Sequence, residues 1–146
     1  MTDVYIPSSE GYTLGEHTAD IWLQVSGHSV EDCVKGALNG LYSVMAQKFE
    51  LHSAVGDSIV LGPVKEDLLL IDVLSEALFL FDSEGILILD PVLTREKEDR
   101  WVLNFRSSVC SIPEGEAGME VKAATFHGRG LHYEDGEWCS RILLDL

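Results

Sequence analysis

An α+β fold is predicted for this chain, with two helices packed on a mixed β-sheet sandwich in a single domain spanning residues 1–146. Three observations predict it. Two segments repeat their apolar residues with helical spacing, and after Gly85 the pattern turns to strand-like alternation. The element order is strands, helix, strand, helix, then a run of strands. No internal repeat, low-complexity tract or Pro/Gly/Ser linker divides the chain, and its length suits one domain.

The elements follow in order. Gly11 to His17 and Ile21 to Val25 read as short strands, the second carrying Ile21, Leu23 and Val25 on one face. Gly27 ends it, and Ser29 serves as a helix N-cap with Glu31 and Asp32 in the first turn, where their charge suits the helix dipole. Val30, Cys33, Val34, Ala37, Leu38, Leu41, Val44 and Met45 then mark one amphipathic helix. Gly36 and Gly40 inside it cost about 1 kcal/mol each relative to alanine. They lie on one side of the helix, so a neighbouring element is expected to approach closely there. Ser58 to Leu61 is a short strand before Gly62-Pro63. A second helix from about Lys65 to Asp82 is apolar nearly all round and is expected to be buried on more than one side. Ile86 to Val92, then Trp101, Leu103 and Phe105, then Glu120 to His132 read as strands. Glu134-Asp135-Gly136 is a turn, and Trp138 to Leu146 the last strand.

Composition narrows the function. Apolar residues make up 46% of the chain, enough for a real core. Ten basic against 25 acidic side chains give a formal charge of −15, which repels phosphate backbones and argues against direct nucleic-acid binding. Such a surface suits cations or a basic protein partner. Cys33, Cys110 and Cys139 are odd in number and lack metal-type spacing, so they read as reduced residues of a cytosolic protein. The start, Met1-Thr2-Asp3-Val4-Tyr5, lacks the basic region of a secretion signal. The longest apolar run, Leu68 to Phe81, is interrupted by Asp72, Ser75 and Glu76 and is too short to span a bilayer. A cytoplasmic protein is expected, without membrane attachment.

The chemistry-bearing feature is an acidic site at each end of the sequence. His17-Thr18-Ala19-Asp20 leads into an apolar run, and Asp145-Leu146 closes another, Ile142-Leu143-Leu144. A carboxylate where a hydrophobic strand ends needs pairing, solvation or a cation. If the first and last strands meet, two or three hard oxygen donors converge, counting the carboxylate that follows Asp145. Such donors favour Ca²⁺, Mg²⁺ or Mn²⁺ over zinc. Each motif alone also reads blandly: the first as a polar loop entering a strand, Asp145 as a solvated terminal acid, and Val121 to His127 as a strand with an exposed lysine.

Taken in order, these pieces resemble the archease family, small acidic proteins that accompany the RtcB-type tRNA-splicing RNA ligase. The resemblance rests on His17-Thr18-Ala19-Asp20 with the Ser-capped helix after it, Leu68-Leu69-Leu70, and Asp82-Ser83-Glu84-Gly85. It is completed by Val121-Lys122-Ala123-Ala124-Thr125-Phe126-His127 and the closing Asp145-Leu146. It implies that Asp20, Asp145 and a main-chain oxygen of Leu146 hold a divalent cation, calcium-like in its ligands. It implies a structural or supporting role for His17 and ties Lys122 to activity, although physics alone reads Lys122 equally as a solvated strand lysine. Many relatives carry a longer, His-containing stretch before the Val-Lys-Ala strand. Here Cys110 to Met119 is short and acidic with no histidine, so a contact made from that loop in relatives is not expected to carry over.

The implied function is that of an activator, not an enzyme, with an RtcB-type RNA ligase as partner. The ligase would hold the GTP, Mn²⁺ and RNA. The alternative from another class is a general chaperone or modulator of nucleic-acid-processing proteins. A metal-dependent hydrolase built on the two aspartates ranks last. The sequence has no GxSxG, P-loop, GxGxxG or HExxH motif. A Cys–His nucleophile drawn from Cys110, Cys139, His127 and His132 has nothing in the sequence that selects a pairing. Trp22, Trp101 and Trp138 are expected in the core.

Overall fold

The computed structural model describes residues 3–17 and 19–146, and of His17 the backbone. Nine strands, β1 (Asp3–Tyr5), β2 (Tyr12–His17), β3 (Asp20–Gly27), β4 (Phe49–Leu61), β5 (Ile86–Lys97), β6 (Arg100–Ser111), β7 (Ala123–Phe126), β8 (His132–Glu134) and β9 (Glu137–Asp145), form two sheets. One has the order β1-β4-β6-β5, the other β2-β3-β9-β7 with β8 paired to β9. Between β3 and β4 runs α1 (Val30–Met45). After a 3₁₀ turn (Glu66–Leu68), α2 (Leu69–Glu84) leads into β5. The α+β class and the two helices on a β sandwich are as the sequence predicts. The strands of both sheets pair antiparallel throughout the described residues, so the mixed sheet expected from the element order is corrected. The physical reason is the connectivity. α1 crosses from one sheet to the other. α2 joins β4 to β5 within one sheet, two strands that run parallel but are separated by β6, which pairs antiparallel with both.

Each helix touches strands of both sheets, so the two helices share one core with them. Ser29 caps α1 as expected, its hydroxyl accepting from the Asp32 amide at 3.1 Å. The close approach predicted at the helical glycines is there. A β-carbon on Gly36 would stand 2.7 Å from the Gly11 carbonyl oxygen, and one on Gly40 would overlap the Leu23 side chain. Tyr42, fully buried, keeps its polar atom satisfied by accepting from the Ile88 amide at 3.0 Å, which ties α1 to β5. At the other end α1 has no glycine cap and no basic last turn. The Gly118 and Met119 amides instead donate to Met45 and Val44 carbonyls, both at 2.8 Å.

The second helix ends on Gly85 in the left-handed conformation, whose amide donates to Leu80 and Phe81 carbonyls. Its buried residues, Leu69, Leu70, Val73, Leu74, Ala77 and Leu78, form one wide stripe, while Phe79 is 64% exposed. The helix is therefore covered along one broad face, less completely than its apolar composition predicts.

Candidate metal centre on the uncovered sheet face

In the β2-β3-β9-β7 sheet, alternation sends Leu23, Val25, Ala124, Ile142 and Leu144 into the core. Their neighbours point the other way: Asp20, Trp22, Gln24 and Ser26 of β3, and Cys139, Arg141, Leu143 and Asp145 of β9. The register pairs Asp20 with Asp145, Trp22 with Leu143, Gln24 with Arg141 and Ser26 with Cys139. The sequence-predicted acids are thus brought together as direct cross-strand partners. Such partners have β-carbons about 4.5–5.5 Å apart on one face of the sheet.

The backbone places the rest of the predicted set beside this pair. β7 adds Ala123 opposite Asp145 from the other side, and the exposed Lys122 donates its amide to the Asp145 carbonyl at 2.7 Å. Leu146, next in the chain, packs its side chain against the core. The backbone of His17 pairs with Asp20. Its side chain and Thr18 lie outside the described residues.

Like charges placed directly opposite across a strand pair destabilise it. Among the described residues neither Asp20 nor Asp145 takes part in an ion pair. Two facing carboxylates with main-chain oxygens beside them make a hard, anionic donor set, which fits a Ca²⁺-type cation and not a thiophilic one.

Farther along the same face the sequence reading needs amendment. Trp22 is not a core residue. Its ring lies on the uncovered face, with the Arg141 guanidinium 4.2 Å from its centroid and the ring of His127 stacked at 6.2 Å. Arg141 also donates from Nε to Gln24 Oε1 at 3.1 Å. Trp101 is buried as expected, and Trp138 is partly buried against the core.

The cysteines separate clearly. Burial pushes the Cys33 thiol up to about 12 and the Cys110 thiol up to about 11, so neither is an activated nucleophile. Cys139 does meet a histidine, its Sγ lying 3.4 Å from His132 Nε2. Its thiol is also raised, first by burial and then by Glu134 and Glu137, which is the wrong direction for nucleophilic catalysis. No helix among the described residues is long and apolar enough to cross a membrane.

The profile of the archease protein family (MTH1598/TM1083) matches residues 12–146. A protein archease of Methanothermobacter thermautotrophicus is 32% identical over 139 residues, covering 94% of this chain and 99% of that protein. One from Thermococcus kodakarensis is 29% identical over 135 residues, covering 90% and 95%. The solution structure of Methanobacterium thermoautotrophicum protein 1598 superposes with a TM-score of 0.69 at 32% identity, over 93% of this chain and 99% of that one. The crystal structure of an archease, possible chaperone (TM1083), from Thermotoga maritima shares the fold at a TM-score of 0.62 and 21% identity, over 90% and 94%. With the profile spanning almost the whole chain, and the acidic pair, the Ser-capped helix and the Val-Lys-Ala segment all within the matched residues, this chain belongs to the archease family.

Proposed function

We propose that this chain is a non-enzymatic activator of an RtcB-type tRNA-splicing RNA ligase in the cytoplasm, promoting GTP- and Mn²⁺-dependent guanylylation of the ligase so that it turns over repeatedly. The observation that carries the reading is the Asp20–Asp145 cross-strand pair in a member of this family. In this reading Asp20, Asp145 and a main-chain oxygen of Leu146 hold a calcium-like divalent cation. The bound ion supplies positive charge that offsets the carboxylate repulsion and clamps β3 to β9. This chain's own residues then present a fixed acidic edge, with Lys122 exposed beside it. The net charge of −15 suits a partner that is basic because it handles RNA, and attraction of that kind weakens with salt.

The test is multiple-turnover RNA ligation by the cognate ligase with GTP and Mn²⁺, adding this protein in substoichiometric amount. A rise in turnover that Lys122→Ala and Asp145→Ala both reduce supports the activator role. No rise with a competent ligase overturns it.

A general chaperone is the second reading. It is favoured by an apolar hollow of about 240 Å³ lined by Met45, Phe81, Ile112, Met119 and Val121, and by the description of the Thermotoga protein as a possible chaperone. A chaperone acts near one-to-one and protects unrelated clients from aggregation, whereas a specific activator does neither.

A further inference from the structure

At the end of the uncovered face remote from Asp20 and Asp145, β8 and β9 form a tight hairpin. Asp135 and Gly136 both adopt left-handed backbone conformations in its two-residue turn. That turn fixes the register, pairing His132 with Cys139 and Glu134 with Glu137. His132, Glu134 and Cys139 therefore project from one side of the hairpin. Their ligating atoms lie within 4.8 Å of one another. The Asp20–Asp145 pair is six residues away along β9, about 20 Å at the rise of a strand.

We infer that His132, Glu134 and Cys139 form a second metal site, built for a zinc-class divalent cation with its fourth position open to solvent. The imidazole is held as a metal ligand would be. Its Nδ1 lies 2.7 Å from the Gly130 carbonyl, so Nδ1–H donates there and Nε2 turns its lone pair to the other two groups.

Around Nε2 stand Glu134 Oε2 at 2.9 Å and Cys139 Sγ at 3.4 Å. A carboxylate facing an imidazole lone pair needs a proton or a cation between them. The separations approach the edge of a tetrahedron around zinc, about 3.3–3.8 Å for bonds of 2.0–2.3 Å. Thiolate and imidazole select a softer ion than the two aspartates do. The hollow they line, about 400 Å³, is shallow and also bordered by Gln24, His127, Arg129 and Arg141. Arg141 is engaged by Trp22 and Gln24, while Glu134, Glu137 and Asp135 outweigh Arg129 in the field at Cys139. Binding displaces the Cys139 proton, so uptake of the ion releases H⁺ to solvent.

The test uses the full chain, reduced and stripped of metal, titrated with Co²⁺ and then Zn²⁺. The expected result is tetrahedral Co²⁺ absorption with a thiolate charge-transfer band, erased by Zn²⁺. Cys139→Ser should abolish that band, while Cys33→Ser and Asp20→Asn keep it. Glu134→Gln changes an exposed side chain that the fold does not need, and should weaken Zn²⁺ binding about tenfold or more. Absence of the band in the parent protein, its persistence in Cys139→Ser, or parental affinity in both Glu134→Gln and His132→Gln overturns the site. None of these outcomes depends on the ligase.

Discussion

Arg141 lies over the ring of Trp22 and at the same time donates to Gln24, so one side chain of β9 grips two residues of β3. The Gln24–Arg141 pair sits four residue pairs along the register from Asp20–Asp145, with Trp22 two residues from Asp20, and the clasp helps hold the strands that carry the acids. Replacing Arg141 with alanine is expected to cost about 0.5–1 kcal/mol in urea unfolding and to shift tryptophan emission. Arg106, half exposed in its pair with Asp90, is the control and should change stability by less than about 0.5 kcal/mol when truncated. Equal losses at the two positions would mean that the aromatic contact adds nothing.

The facing aspartates predict a dependence on cation with a definite sign. Without metal, Asp145→Asn should leave the melting temperature unchanged or raise it, because a like-charge pair has been removed. With millimolar Ca²⁺ the parent should melt higher while Asp145→Asn does not, by the linkage between binding and folding. A parallel Ca²⁺ shift in both proteins would place the bound ion elsewhere.

Gly40→Ala pits two effects against each other. Alanine improves helix propensity by about 1 kcal/mol, but its methyl group overlaps Leu23 in a filled core, and overpacking costs about 1–3 kcal/mol. Packing should win, leaving the variant less stable by about 1 kcal/mol in chemical denaturation. A stabilised Gly40→Ala protein would show that β3 yields easily to α1.

Stability should fall on the alkaline side. Cys33 titrates near 9 when exposed and is pushed up to about 12 by burial in the fold. Above pH 9 the unfolded chain therefore gives up a proton that the native chain retains. The stabilisation is complete below about 9 and is lost as pH rises toward 12. Cys110, raised to about 11, acts in the same direction, and so do the half-buried Tyr5 and the buried Tyr42 at higher pH. Cys33→Ala should flatten the fall between pH 9 and 10 without removing it. An unchanged pH profile would show that the thiol is not protected.

Local patterns made much of the fold legible. Ser29, the first-turn acids and the apolar spacing located α1, and its glycines announced a close approach. By contrast β4 runs from Phe49 but shows its strand character only from Ser58, because positions 52–58 are exposed and a bulge between His52 and Val55 breaks the alternation. Its pairing comes from the backbone of β6, which no pattern in β4 records. At the site, Asp20 and Asp145 stood out because each interrupts or ends an apolar strand. His132, Glu134 and Cys139 did not, because their meeting depends on strand register and not on motif spacing. The signal was present in the Asp135-Gly136 turn, which sets a two-residue hairpin and so fixes which side chains face each other. Trp22 was misplaced because an aromatic residue in a strand reads as core until the direction of the pleat is known.

The stretch from Glu116 to Met119 has a consequence for how this protein can vary. Gln47 donates to the Glu116 carbonyl at 2.9 Å, Ala46 bridges Ala117, and the next two amides close the end of α1. These four residues serve in place of the glycine stop that the helix lacks, so insertions or deletions within them would unravel its last turn. Just before them, Ile112 packs against the core and the Pro113 carbonyl accepts from the Glu116 amide at 3.0 Å. Glu114 and Gly115 are exposed, and a β-carbon on Gly115 would meet nothing, so that tip is where length can change. Grafts, tags or a longer natural loop would be accommodated there, with the helix end and the strand leading to Lys122 left in place.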